Sequence, residues 1–294
     1  MPSQYRSEES REECFAWIDA QATREWPVVS ETRTVPTSFG PTFVRISGPE
    51  EGEPLVLLPG IASSSLMWAP NIADLSAEFR TFAIDRVGDF GRSLCTRDPH
   101  TFHDLVAWLA ETLDGLGLRD GVHLVGISYG GALAAEFARQ RPERVRKAVL
   151  IAPGATVLGL SSEMMVRLSV ATVAHVRGLD WLMGWLFEDA GRKDPAWLAG
   201  ILTQLHLHMR SVRRVAPMPH VWSDAEWGAL SVPTLFLVGE HEKIYPAAKA
   251  VERLRRVAPQ IRTAVIPGAG HDVTFVQAGE VNRRILEFLR APGT

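Results

Sequence analysis

The chain has 294 residues, 46% of them hydrophobic and 22% charged, the composition of a folded globular protein with a substantial core. A net charge of −3 argues against binding driven by attraction to nucleic acid or to an anionic membrane, since both need a concentrated positive patch. The two cysteines, Cys14 and Cys95, make neither a disulfide framework nor a metal-ligand spacing.

The first ten residues are polar and acidic, the one stretch whose composition suggests disorder. A helix is expected around Cys14, Phe15, Trp17, Ile18 and Ala22, ending at Trp26-Pro27. Thr34 to Ser38, the turn signal Gly40-Pro41 and Thr42 to Ser47 read as an antiparallel hairpin. Then the pattern changes to continuous apolar runs, as expected for strands buried on both faces. They start at Leu55, Thr81, Val122, Ala148, Thr234 and Thr263. Helical segments separate most of them: Met67 to Glu78, Phe102 to Leu116, Gly131 to Arg139 and Lys249 to Val257. A last helix near Glu280 to Leu289 carries Val281, Ile285, Phe288 and Leu289 on one stripe. This alternation predicts an α/β fold, a mostly parallel sheet with helices on both faces. The expected layout is an N-terminal helical extension (1–30), a core (31–153 and 232–294) and a helical cap (154–231). The cap is rich in Trp, Met, Leu and His, has no convincing strand, and is placed to roof a pocket beyond the carboxyl ends of the strands. No run approaches the roughly 18 consecutive apolar residues of a transmembrane helix, and no signal peptide is visible, so the expectation is a cytoplasmic protein with no membrane partner.

Gly126-Ile127-Ser128-Tyr129-Gly130-Gly131 directly follows an apolar strand and precedes a helix. A serine on so tight a turn is held in a strained conformation with its hydroxyl exposed. A serine needs a base, and His271, in Pro267-Gly-Ala-Gly-His271 after the last strand, points into the same crevice. The base needs a carboxylate to orient it. Glu242, in Gly239-Glu240-His241-Glu242, gives the chain order Ser, acid, His and is the first choice, with Glu240 and Asp224 as alternatives. Asp272 is disfavoured because its side chain, next to that of His271, points elsewhere. Leu57-Leu-Pro-Gly-Ile61 closes the first apolar strand. There the Ile61 N–H, together with the N–H of Tyr129, is expected to form an oxyanion hole. No metal or cofactor is implied: the glycines around Ser128 lack the G-x-G-x-x-G spacing of a dinucleotide loop.

These residues resemble the α/β-hydrolase superfamily, in particular its carboxylesterase-like members with a helical cap, over Thr37 to Leu289. Asp85-Arg-Val-Gly-Asp-Phe-Gly-Arg-Ser93 resembles the family's D-x-x-G-x-G-x-S loop, which is usually structural. Arg141-Pro-Glu-Arg-Val145 resembles the turn after the nucleophile helix, and Gly268 to His271 the histidine loop. The chain departs from the family pattern at Pro59-Gly60, where His-Gly is common, and at Glu242, where aspartate is common. The resemblance implies hydrolysis of an ester, thioester or lactone through an acyl-enzyme on Ser128. Trp181, Met183 and Trp185 of the cap suit an apolar or aromatic small-molecule substrate. Two rivals share the fold: a lyase, acyltransferase or C–C hydrolase, and a non-catalytic small-molecule receptor. The oligomeric state is not legible.

Overall fold

The computed structural model describes residues 4–213 and 216–292. Eight strands form one sheet in the order β1-β2-β4-β3-β5-β6-β7-β8. They are β1 (Ser30–Val35), β2 (Thr42–Ser47), β3 (Pro54–Leu58), β4 (Arg80–Ile84), β5 (Val122–Ile127), β6 (Val145–Ile151), β7 (Thr234–Gly239) and β8 (Arg262–Ile266). The β1–β2 and β2–β4 pairs are antiparallel and every other pair is parallel. The hairpin starts earlier than its sequence suggests, at Ser30 rather than Thr34. Pro36 has no N–H to give to a ladder, so the first strand stops at Val35.

The helices are α1 (Glu8–Glu25), α2 (Ala69–Ser76), α3 (Phe102–Gly115), α4 (Tyr129–Gln140), α5 (Ser162–Leu186), α6 (Glu188–Lys193), α7 (Pro195–Ser211), α8 (Asp224–Gly228), α9 (Ala247–Val257), α10 (Val273–Val276) and α11 (Ala278–Arg290). Successive residues of the central strands serve opposite faces. Val56, Leu58, Leu124, Leu150 and Phe236 pack against α3, α4 and α9, while Leu55, Leu57, Val125, Val149 and Leu237 pack against α2 and α11. Each such side chain contributes about 1.5–3 kcal/mol when fully buried, which is why these strands read as unbroken apolar runs. The last strand is the exception. Thr263 to Ile266 reads as a buried run, but β8 lies at the sheet edge and leaves Val265 exposed.

Between β6 and β7 lie α5 to α8. The α5 run is sharply bent. A Cβ on Gly178 would fall 2.6 Å from the Cα of Ala171, and the Arg167 guanidinium sits 4.2 and 4.4 Å from the rings of Trp181 and Trp185. In a straight helix the Cα atoms of residues 167 and 181 would be about 21 Å apart. The run therefore doubles back as a helical hairpin, with Val173 at 80% exposure near its tip. No helix among the described residues is long and apolar enough to cross a membrane.

The N-terminal segment is ordered where its composition suggests a tail. Gln4 and Tyr5 are buried. The Gln4 amide donates to the carbonyls of Asp89 and Ser93 at 2.8 Å each and accepts from the Cys95 N–H at 2.6 Å. Tyr5 pairs with Val212 at the end of α7. Residues 1–3 lie outside the described residues.

Candidate active site

Strand β5 ends at Ile127 and α4 begins at Tyr129, so Ser128 alone turns the chain. Its backbone sits at φ +53°, ψ −117°, a region that costs a non-glycine residue about 1–3 kcal/mol. Three hydrogen bonds hold it there. Its N–H donates to Ile151 O (2.9 Å), and its carbonyl accepts from the N–H groups of Ala132 (3.0 Å) and Gly154 (3.1 Å). The flanking glycines are sterically required. A Cβ on Gly126 would lie 2.1 Å from the Gly130 carbonyl oxygen, and one on Gly130 would lie 2.3 Å from that of Leu58.

Because β5, β7 and β8 are parallel, the residues that follow them gather at one end of the sheet. Glu242 follows β7 and His271 follows β8. Backbone bonds join these two loops: Glu240 N–H to Ile266 O and His241 N–H to Ala269 O, both 2.9 Å. His271 Nδ1 lies 2.8 Å from Glu242 Oε2, and both side chains are buried. A carboxylate can only accept, so Nδ1 carries the proton and Nε2 is left with a free lone pair. The other carboxylate oxygen, Oε1, accepts from the N–H groups of Lys243 (2.9 Å) and Ile244 (2.8 Å), which fixes the acid. Burial alone would lower the His271 pKa. The charge of Glu242, its hydrogen bond and the nearby Asp272 outweigh that and leave it raised above the ordinary value.

The other acids weighed from sequence are engaged elsewhere. Glu240 accepts from the Gly268 N–H (3.0 Å), and Asp224 pairs with Arg253 (2.7 Å). Asp272 accepts from the N–H groups of Gly270 (3.2 Å) and of Ala190 in α6 (2.7 Å), so it ties the histidine loop to the cap. Burial pushes its carboxyl up from the usual carboxylate range.

The third loop, after β3, holds Gly60, Ile61 and Ala62. Ile61 is 42% exposed, and its N–H donates to no group among the described residues. Gly60 lies against Ser128: a Cβ there would be 3.6 Å from that of the serine. Ala62 has φ +56°, a left-handed conformation costing about 1–2 kcal/mol for an L-residue. Two groups hold it. The Asp89 carboxylate accepts from the Ala62 N–H (3.0 and 3.2 Å), and Gln204 Nε2 of α7 donates to the Ala62 carbonyl (2.8 Å). The bond to a buried carboxylate contributes about 1.5–3 kcal/mol, enough to offset the strain.

Sequence reading missed both of these residues. The loop from Asp85 to Ser93 has one residue more than the D-x-x-G-x-G-x-S spacing, and Asp89 with Phe90 fills the gap between its glycines. Asp89 is buried and ion-paired to the equally buried Arg86, whose guanidinium lies 4.5 Å over the Tyr129 ring. Tyr129 itself is buried, with its hydroxyl donating to Pro217 O at 2.6 Å. The extra residue was the available signal; its partner, far away in sequence, was not.

The cap residues singled out from sequence are distributed unevenly. Trp181 is 47% exposed and stacks with Trp185 on Arg167. Met183 and Trp185 pack partly buried against the core, and Lys243, next to Glu242, donates to the Trp185 carbonyl at 2.6 Å. The aromatic ring that meets the histidine is Phe187, stacked on His271 with centroids 6.4 Å apart and planes 20° apart. Trp197 stands edge-on to Phe187 (5.9 Å) and stacks on Phe275 (4.2 Å).

A family model for the α/β hydrolase fold matches residues 53–278. The chain is 35% identical over 274 residues to the uncharacterized carboxylesterase nap of Bacillus subtilis, a match covering 90% of this chain and 89% of that one. Carboxylesterase YbfK of the same organism is 34% identical over 272 residues, with 92% and 91% covered. The crystal structure of naproxen esterase (carboxylesterase NP) from Bacillus subtilis superposes with a TM-score of 0.88 at 31% identity, covering 97% of this chain and 100% of that one. The sheet order, the strained serine turn and these similarities lead to one conclusion: the chain belongs to the α/β-hydrolase fold family.

Proposed function

We propose that the chain is a carboxylesterase that cleaves esters of apolar or aromatic small molecules, with Ser128 as nucleophile, His271 as base and Glu242 as the acid that orients it. The observation that carries this reading is the buried His271–Glu242 pair, brought to the strand end from which Ser128 projects. The hydrolase class rests on the similarity to carboxylesterases.

Ser128 Oγ attacks the ester carbonyl as His271 Nε2 takes its proton. The resulting imidazolium is stabilised by the carboxylate on Nδ1, consistent with the raised pKa. Negative charge grows on the former carbonyl oxygen, where the N–H groups of Ile61 and Tyr129 receive it. The intermediate collapses, His271 gives the proton to the departing alcohol, and an acyl-Ser128 ester remains. Water then attacks that ester with His271 again as base, releasing the acid and restoring the hydroxyl. Phe187, stacked on the imidazole, shields it from water and offers an apolar wall to the substrate.

The test is turnover of a series of p-nitrophenyl acyl esters by the wild type and by Ser128→Ala. The reading expects hydrolysis by the wild type and a fall of about 10⁴-fold or more in the variant. Turnover unchanged by Ser128→Ala would exclude it.

A further inference from the structure

The loop that carries Ile61 is gripped from two sides by Asp89 and Gln204. Ala62 is the pivot, since it follows Ile61 and sits at φ +56°. Both of its backbone groups are taken. Asp89, on the loop after β4, accepts from its N–H, and Gln204, on α7 of the cap, donates to its carbonyl. Fixing the peptides on both sides of one residue fixes its φ and ψ, and so fixes the direction in which the chain leaves Ile61.

Each grip is itself anchored. Asp89 also accepts from the Phe90 N–H (2.8 Å) and pairs with buried Arg86. The Asp89 carbonyl is held by Gln4 of the N-terminal segment. Gln204 is buried, and α7 continues to Ser211 and Val212, which bond to Arg6 and Tyr5 of the same segment. The N-terminal residues thus join the two jaws on the far side.

We propose that Asp89 and Gln204 are positioning residues that set the Ile61 N–H in line with the developing oxyanion, so that the seating of the cap is coupled to transition-state stabilisation. This rests on the esterase reading for its kinetic consequence, although the grip on Ala62 is testable without it. The cap is therefore more than a roof. Displacing α7 frees the Ala62 carbonyl and slackens the loop, and the hole is complete only with the cap seated. A group that acts on the oxyanion lowers kcat without weakening ground-state binding.

The experiment uses the full chain with Gln204→Leu, Gln204→Glu (same shape, no N–H to donate) and Asp89→Asn (same shape, an acceptor still present). It measures kcat and KM for an aromatic ester, the inhibition constant of a trifluoromethyl ketone, which mimics the tetrahedral oxyanion, and hydrogen exchange at the Ala62 amide. Removing an oxyanion donor outright costs about 10²–10³-fold, so losing its alignment is expected to lower kcat by about tenfold or more in both Gln204 variants. KM should stay within about twofold, and the ketone constant should rise by the same factor as kcat/KM falls. Asp89→Asn keeps an acceptor for the Ala62 N–H but leaves the buried Arg86 unpaired, so it should lose at least as much as the Gln204 variants. Ala62 should exchange faster in all three variants. A rise in KM alone, or kinetic constants and exchange equal to wild type in folded Gln204→Leu, would overturn the proposal. If the wild type hydrolyses no ester, the esterase reading fails, and exchange alone decides the grip: faster at Ala62 upholds it, unchanged refutes it.

Discussion

The sheet core and the cap reach the same site by different physics. The Ser128 turn is built by steric exclusion. Strands apolar on both faces leave no room around it, and a single added Cβ collides with backbone. The cap is built loosely. The α5 hairpin buries Met164, Leu182 and Leu186 but leaves Met165, Val166, Val173 and Val176 exposed. Polar ties hold the cap to the loops at the strand ends, among them Gln204 to Ala62, the Ala190 N–H to Asp272, Asp189 to His241, and Lys243 to Trp185 and Glu188. Close packing thus shapes the Ser128 turn, whereas the cap meets the neighbouring loops through polar bonds.

That contrast can be broken by substitution. The largest effect is expected at Gly130→Ala, whose Cβ would meet the Leu58 and Pro59 carbonyl oxygens at 2.3 and 2.5 Å. Both activity and melting temperature should fall, and an active, equally stable variant would show that packing does not set the turn. Glu242→Gln should lower kcat/KM by about 10³- to 10⁴-fold with the fold retained, read by circular dichroism beside the kinetics.

The sign of its pH dependence follows from the raised His271 pKa. A histidine acting as the proposed base works only when neutral, so the acidic limb of kcat/KM should lie above the ordinary histidine value of about 6.5 in the wild type. Without the carboxylate the same limb should move to lower pH; a limb that stays or rises would contradict the pairing.

Smaller effects belong to the cap. Phe187→Ala should raise KM for aromatic esters by about tenfold, the scale expected for a lost apolar contact, with little change in melting temperature. A stability loss exceeding the kinetic loss would make Phe187 a core residue instead. Val173→Ser, at the exposed tip, should change stability by no more than about 0.5 kcal/mol in thermal unfolding.

The same division explains what could be read from sequence. The central strands and their helices are legible because burial on both faces writes unbroken apolar runs, and the serine turn is legible because its glycines are sterically forced. His271 is legible from its loop after the last strand and Glu242 from the chain order Ser, acid, His, and the structure places their side chains in contact. The edge exposure of β8 was hidden, since Thr-Ala-Val-Ile reads alike at an edge or in the middle. The cap is legible only by composition, which does not reveal that Trp181 and Trp185 stack on Arg167 across the bend. Asp89 and Gln204 meet at Ala62 from 27 and 142 positions away. No local pattern encodes such a meeting, because it exists only after the sheet has closed. The polar opening residues misled for the same reason: Gln4 has partners only in the folded loop.

The most direct test is to treat the wild type and a His271→Ala variant with a fluorophosphonate and map the modified peptide. The account predicts covalent modification at Ser128 in the wild type, slowed by orders of magnitude once the imidazole is gone. Modification at another residue, or an undiminished rate at Ser128 in the variant, would contradict it.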